Sequence, residues 1–143
     1  MIRKIIKEDI KEVMPFLQQL WPDTPIDHNK IEEVFNRYLI DDNYEMFCFE
    51  EKEILGIITI SKRYAFYYGS TVAIIEDLVV DQQNRGKGIG GKLLEFAEKE
   101  IKAQGISAIE VASDIHRNQA HLFWEKHGYT RSAYQFKKIL DSE

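Results

Sequence analysis

Residues 81–91 read Asp81-Gln82-Gln83-Asn84-Arg85-Gly86-Lys87-Gly88-Ile89-Gly90-Gly91 and place four glycines within six positions. The run separates an apolar, β-branched stretch, Thr71–Val80, from the strongest helical pattern in the chain, Gly88–Gln104. In that pattern Ile89, Leu93, Phe96, Ala97 and Ile101 share one face, and Gly105 marks the stop. Each glycine inside a helix costs about 1 kcal/mol relative to alanine, so a merely structural turn has little use for four. Glycine permits positive φ and close approach of a ligand to the main chain. At a helix start the first N–H groups lack intrahelical acceptors and the dipole is positive. Arg85 and Lys87 add two cations. This is a strand–loop–helix unit suited to a phosphate or pyrophosphate.

The spacing Gly86-x-Gly88-x-x-Gly91 formally matches the dinucleotide fingerprint, with Glu110 or Asp114 at about the required distance. Against it, five polar residues separate the strand end from the first glycine, and half the chain precedes the loop. A Walker-type loop fails because no Ser or Thr follows Gly86-Lys87.

Elsewhere the periodicity predicts Ile2–Ile6 as a strand, then a helix over Lys7–Leu20 with Ile10, Val13, Met14, Leu17 and Leu20 on its apolar face. Trp21-Pro22-Asp23-Thr24-Pro25 breaks it, and Asp27 is placed to cap a second helix carrying Ile31, Val34, Phe35, Tyr38 and Leu39. Tyr44–Glu50 and Ile54–Arg63 read as an antiparallel hairpin, followed by an aromatic loop, Tyr64–Ser70. Ala108–Ala112 reads as a short strand, Gln119–Lys126 as a short helix and Tyr129–Ile139 as a closing strand, bent or straight, or one half of a hairpin. The order predicts one α+β (mixed α/β) domain over residues 1–143, built around one sheet.

The 143 residues carry 19 basic and 24 acidic side chains, which argues against a nucleic-acid or anionic-membrane partner. One cysteine, Cys48, excludes an internal disulfide framework and a cysteine-rich zinc site, and its place in a predicted strand reads as core. Charges interrupt Met1–Val13 every two or three positions, so neither a leader nor a membrane span is expected, and the expected location is the cytoplasm.

Arg85-x-x-Gly88-x-Gly90, preceded by Leu78-Val79-Val80 and followed by Leu93-Leu94, resembles the acyl-coenzyme A signature of the GNAT N-acetyltransferase superfamily. Arg117-x-x-Ala120-His121-x-Phe123-Trp124-x-x-x-Gly128-Tyr129 is similar to that family's second motif. The resemblance spans roughly residues 44 to 130. It implies a mostly antiparallel sheet with one parallel strand pair that splays apart, flanked by helices. It also implies an acetyl-CoA cosubstrate, no metal, and direct acetyl transfer to an amine. Leu78, Val79 and Val80 would line the pantetheine arm; Arg85, Gly86, Lys87, Gly88, Ile89, Gly90 and Gly91 would hold the pyrophosphate. Arg117, Asn118, Phe123 and Trp124 would complete the coenzyme site.

The resemblance makes Glu76, in the pair Glu76-Asp77, the base for the amine. By plain strand alternation the two acids point to opposite faces, unless a bulge intervenes. Trp124 stands where many relatives carry a tyrosine, and an indole is no useful acid. Tyr129 is the expected substitute, with Tyr134 and His121 as further options, or the thiolate leaves protonated by water. Trp21, Asp23, Tyr64 and Tyr67 are expected around the acceptor, with Asp27, Phe66 and Tyr68 nearby, since aromatics and acids suit a cationic amine. The expected acceptor is a small-molecule amine such as an amino sugar, a polyamine or an aminoglycoside. A peptide or protein acceptor, a non-catalytic coenzyme A sensor and a homodimer stay open.

Overall fold

The structure, a computed structural model, describes residues 1–141. Its contacts gather into two compact units, Met1–Val111 and Ala112–Glu143.

In the first unit, five strands form one sheet in the order β1-β2-β3-β4-β5: β1 (Ile2–Lys4), β2 (Tyr44–Glu50), β3 (Ile54–Ala65), β4 (Ser70–Val80) and β5 (Ile109–Val111). The first four are antiparallel neighbours, and β5 joins β4 in parallel. The mixed α/β architecture and the single parallel pair agree with the sequence reading. The two expected hairpin strands form, and the second runs on to Ala65.

Two helices serve one face of the sheet: α1 (Ile10–Leu20), entered through a 3-10 turn at Lys7–Asp9, and α2 (His28–Ile40). Val13 and Phe16 of α1 and Phe35 of α2 pack with Met46, Cys48, Ile57 and Val79 in one buried cluster. Asp27 caps α2 as expected, its carboxylate accepting from the N–H groups of Asn29 and Lys30. Val34 stays exposed, so the buried stripe of α2 runs through Phe35, Tyr38 and Leu39. Burial pushes the Cys48 thiol up to about 11, the state of a core side chain rather than a nucleophile.

The long helix, α3 (Ile89–Ala103), buries Leu93, Leu94, Ala97 and Ile101 almost completely. Its Phe96 meets Phe47 of β2 edge-on at 5.1 Å. Phe47 and Cys48 are neighbours on a strand, so α3 lies on the face opposite α1 and α2. That arrangement aims the α3 N-terminus at the end of β4, where the glycine-rich loop begins.

The second unit holds α4 (Asn118–Lys126). Phe123, Trp124, His127 and Tyr129 form a chain of ring contacts in it. The strand expected at Tyr129–Ile139 is not formed: residues 130–141 carry no strand, and Tyr134, Phe136 and Ile139 are exposed. A strand needs a partner edge for its main-chain groups, and these residues pair with none.

Candidate active site

The register of β3 against β4 breaks at one place. Thr59 pairs with Asp77 and Ile60 pairs with Ile75, so Glu76 is an extra residue without a cross-strand partner. This is a β-bulge, and it reverses the alternation expected for the two acids. Asp77 accepts a hydrogen bond from the Thr59 hydroxyl at 2.6 Å, and Glu76 accepts one from the Ser61 hydroxyl at 2.6 Å. Thr59 and Ser61 are two apart on a regular strand and share a face. Both carboxylates therefore stand on one side of the sheet, the side of α1 and α2, and not on opposite sides.

The acids differ in their surroundings. Glu76 is exposed, whereas Asp77 is half-buried. Burial raises the Asp77 carboxyl above its ordinary range, the Thr59 hydrogen bond opposes the rise, and the charge of Glu76 adds to it. Tyr38 of α2 reaches the same pair. Burial raises its phenol first, and the charges of Asp77 and Glu76 raise it further. Its ring lies 4.4 Å from that of Tyr44, which pairs with Ser61 across β2 and β3. Thr59, Ser61 and Tyr38 thus flank the acids, with Tyr44 stacked behind Tyr38, though none of the four stood out as a site residue in the sequence. The available signal was the two hydroxyls, the first polar residues in the otherwise apolar run Ile54–Ile60 and just beyond it.

Beyond the bulge, β4 loses its parallel neighbour. β5 follows it only from Ala73 to Ile75, while β4 runs on to Val80. Leu78, Val79 and Val80 keep β3 on one side and, among the described residues, have no strand on the other. Asp81 then turns the chain, accepting from the Gln83 N–H and the Asn84 side chain. The Arg85 guanidinium donates to the Val80 carbonyl at 3.2 Å, and the Lys87 ammonium donates to Asn84 at 3.0 Å.

Gly86 and Gly88 both adopt the left-handed conformation, with φ of 80° and 79°. A Cβ at either position would meet no atom within 4 Å, so the loop leaves an open cradle rather than a packed turn. Gly88 caps α3, and the first helical bond runs from the Lys92 N–H to the Gly88 carbonyl. The N–H groups of Ile89, Gly90 and Gly91 precede it and face outward at the positive end of a 15-residue helix. These features fit a coenzyme pyrophosphate at the loop and an extended arm along the free edge of β4.

The structure does not bring Tyr64 and Tyr67 to the acids. Tyr64 alternates away from Ser61 on β3, and Tyr67 sits in the hairpin turn; both are about 90% exposed. Trp21 and Asp23 lie in the exposed loop after α1, where the Gln18 amide donates to the Trp21 and Thr24 carbonyls.

In the second unit, Arg117 and Asn118 form the start of α4. Asp114 organises the approach to it: its carboxylate accepts from the His116 N–H and its carbonyl from the Arg117 N–H. His121 Nε2 reaches the same carbonyl at 2.8 Å, which makes this histidine a brace of the loop. Trp124 lies between Phe123 and Tyr129, with ring centroids 5.1 Å and 5.3 Å away. Among the described residues no cluster of His, Cys, Asp and Glu could hold a metal ion, and no helix is long and apolar enough to cross a membrane.

The chain is 28% identical over 140 residues to the aminoalkylphosphonate N-acetyltransferase of Salmonella typhimurium, covering 97% of this chain and 90% of that protein. It is 26% identical to the glucosamine 6-phosphate N-acetyltransferase of Arabidopsis thaliana, over 98% and 96% of the two chains. A solved structure of that Arabidopsis enzyme superimposes with a TM-score of 0.81 at 24% identity, over 99% of this chain and 98% of that one. A crystal structure of a transcriptional regulator from Bacillus halodurans superimposes with a TM-score of 0.83 at 25% identity, over 98% and 99%. The model of the acetyltransferase (GNAT) family matches residues 10–129, and with the open β4 edge, the glycine cradle and the bulged acid pair already in place, the chain belongs to that family.

Proposed function

We propose that the protein is an acetyl-CoA-dependent N-acetyltransferase that moves an acetyl group directly from the thioester to the primary amine of a small molecule. The observation that carries this reading is the bulge, which sets Glu76 and Asp77 together on one face beside the free edge of β4. A thioester is already activated, so no covalent enzyme intermediate is needed. The difficulty lies in the amine. With a pKa of about 10.4 it is some 3.4 units from neutrality at pH 7, roughly 4–5 kcal/mol of reactive base.

Glu76 is exposed enough to meet the acceptor, and its carboxylate takes the ammonium proton. The freed nitrogen attacks the acetyl carbonyl and the C–N bond forms; the nitrogen, now cationic, gives its second proton to solvent as the C–S bond breaks, leaving a neutral amide and a thiolate. Its solution pKa is about 8.5, so it is readily protonated by solvent or by Tyr129. Arg117, Asn118, Phe123 and Trp124 complete the coenzyme site in this reading. Trp21 and Asp23 belong to the acceptor side, joined by Tyr38. Residues 1–143 act as one catalytic domain, in the cytoplasm.

The named relatives act on an aminoalkylphosphonate and an amino-sugar phosphate. That supports a compact amine as acceptor, and amines bearing a phosphonate or phosphate join amino sugars, polyamines and aminoglycosides in the set to be tried. The test is acetyl-CoA turnover, read by free-thiol release, across such amines and a set of peptides. Turnover with a small amine is expected. Glu76→Gln should then lower the rate by about 10²–10⁴ with coenzyme affinity unchanged. Coenzyme binding without turnover on any amine would make the protein a sensor, and a loss under threefold in the variant would remove Glu76 as the base.

A further inference from the structure

Strand β3 is buried from Ile54 to Ser61, and Thr59 and Ser61 are the only polar side chains in that run. Thr59 and Ser61 are only 4% and 8% exposed. Among the described residues the other buried polar side chain is Asp9, which is engaged by Arg3. A buried hydroxyl is costly unless it is paired, and valine or alanine would fill the same space without that cost. Each hydroxyl here has one partner, and each partner is a carboxylate of the bulge.

The two bonds are alike in form. Ser61 Oγ donates to Glu76 Oε1, and Thr59 Oγ1 donates to Asp77 Oδ2, both at 2.6 Å. Glu76 Oε2 and Asp77 Oδ1 accept no hydrogen bond from the described residues. One oxygen of each carboxylate is held and the other is left open. Glu76 particularly needs this, because a bulged residue has no cross-strand partner to fix its direction and its side chain turns about three bonds.

We infer that Thr59 and Ser61 are positioning residues for the acid pair, each pinning one carboxylate oxygen so that the other is presented to the acceptor ammonium. The inference rests on the reading of Glu76 as the base. Ser61 aims Glu76, which removes the need to find one orientation among many before each proton transfer. Thr59 has a second effect. A donated hydrogen bond favours the ionised carboxylate and so restrains the rise that burial imposes on Asp77. The ionisable groups facing Asp77 are Glu76 on its own strand and Tyr38 from α2, while α1 turns the apolar Val13 and Phe16 toward the core.

The experiment uses the full chain with saturating acetyl-CoA and the best amine from the turnover survey. Ser61→Ala should lower kcat about ten- to a hundredfold, the range of a lost hydrogen bond to a charged group. The KM for acetyl-CoA should hold within about twofold, and Ser61→Thr, which keeps the hydroxyl, should restore the rate to within about threefold. In a Glu76→Gln background the same alanine change should add less than about twofold, because its partner is already disabled. A carbon-13 NMR titration of the Asp77 carboxyl should move to higher pH by about half a unit or more in Thr59→Val and return in Thr59→Ser. Thr59→Ala serves for the same titration if valine does not fold. If Glu76→Gln keeps its rate, the base assignment falls. If Glu76→Gln is inactive while Ser61→Ala stays within threefold, or Ser61→Ala costs as much without Glu76 as with it, the positioning role of Ser61 is overturned. An unmoved Asp77 titration overturns that of Thr59.

Discussion

Gly56 of β3 lies so close under Leu93 of α3 that a Cβ at residue 56 would come within 3.1 Å of Leu93 Cδ1. The same atom would meet Ile89 Cγ2 and the Val79 carbonyl oxygen at 3.2 Å. Two of these neighbours are side-chain ends that can shift, but the third is main chain. Ile89 is the first residue of α3, so this contact sets how the helix start sits over the end of β4. Gly56→Ala is expected to destabilise the fold by about 1–3 kcal/mol, the usual range for overpacking. It should also weaken acetyl-CoA binding more than a surface substitution of equal stability cost. Denaturant unfolding alongside calorimetric titration measures both.

The cradle itself is best tested at Gly90. Gly88 has φ of 79°, so a side chain there would strain the backbone and blur the result. Gly90 lies in the first turn of α3, where a glutamate is favourable to the helix dipole. Gly90→Glu should keep the fold and its melting temperature, yet reduce acetyl-CoA affinity at least about tenfold by setting an anion against the pyrophosphate. Unchanged affinity in the folded variant would separate the glycine loop from coenzyme binding.

Asp77 is predicted to oppose stability at neutral pH. Its carboxyl is raised above the ordinary 3.8 chiefly by burial, so between that value and the raised one the folded chain binds more protons than the unfolded chain. Stability therefore falls as pH rises through that window. Asp77→Asn, whose amide oxygen can still accept from Thr59, should melt higher than the parent at pH 7. The difference should shrink as pH falls through that same window and be gone well below 3.8, where both states of the parent are protonated. A parent that is as stable as the variant at pH 7 would contradict the desolvation cost placed on this acid.

Trp124 contacts Phe123 and Tyr129 edge-on, a packing that phenylalanine can largely reproduce. Trp124→Phe should stay folded and retain most activity, and Trp124→Tyr should match or exceed the parent because it adds an ionisable hydroxyl. Rates are compared at saturating acetyl-CoA so that binding defects drop out. A hundredfold loss in the phenylalanine variant, about 2.7 kcal/mol of barrier, would give the indole N–H a direct part in the reaction.

Much of the molecule is determined locally and can be read along the chain. Asp27 caps the helix it precedes, the apolar spacing of Leu93, Ala97 and Ile101 buries one side of α3, and the glycines at 86 and 88 supply the positive φ that the loop requires. These depend on neighbours a few residues away, so propensity and period suffice to find them. The direction of Glu76 does not. Counting along β4 sends it away from Asp77, and only the register against β3 reveals the extra residue that brings both acids to one face. Tyr38 and Tyr44 meet because α2 packs on β2, a contact between elements that no local pattern encodes. Tyr129–Ile139 shows the converse: a strand-like pattern stays irregular where no edge receives it, because main-chain pairing is supplied by another segment and not by the sequence of the strand alone.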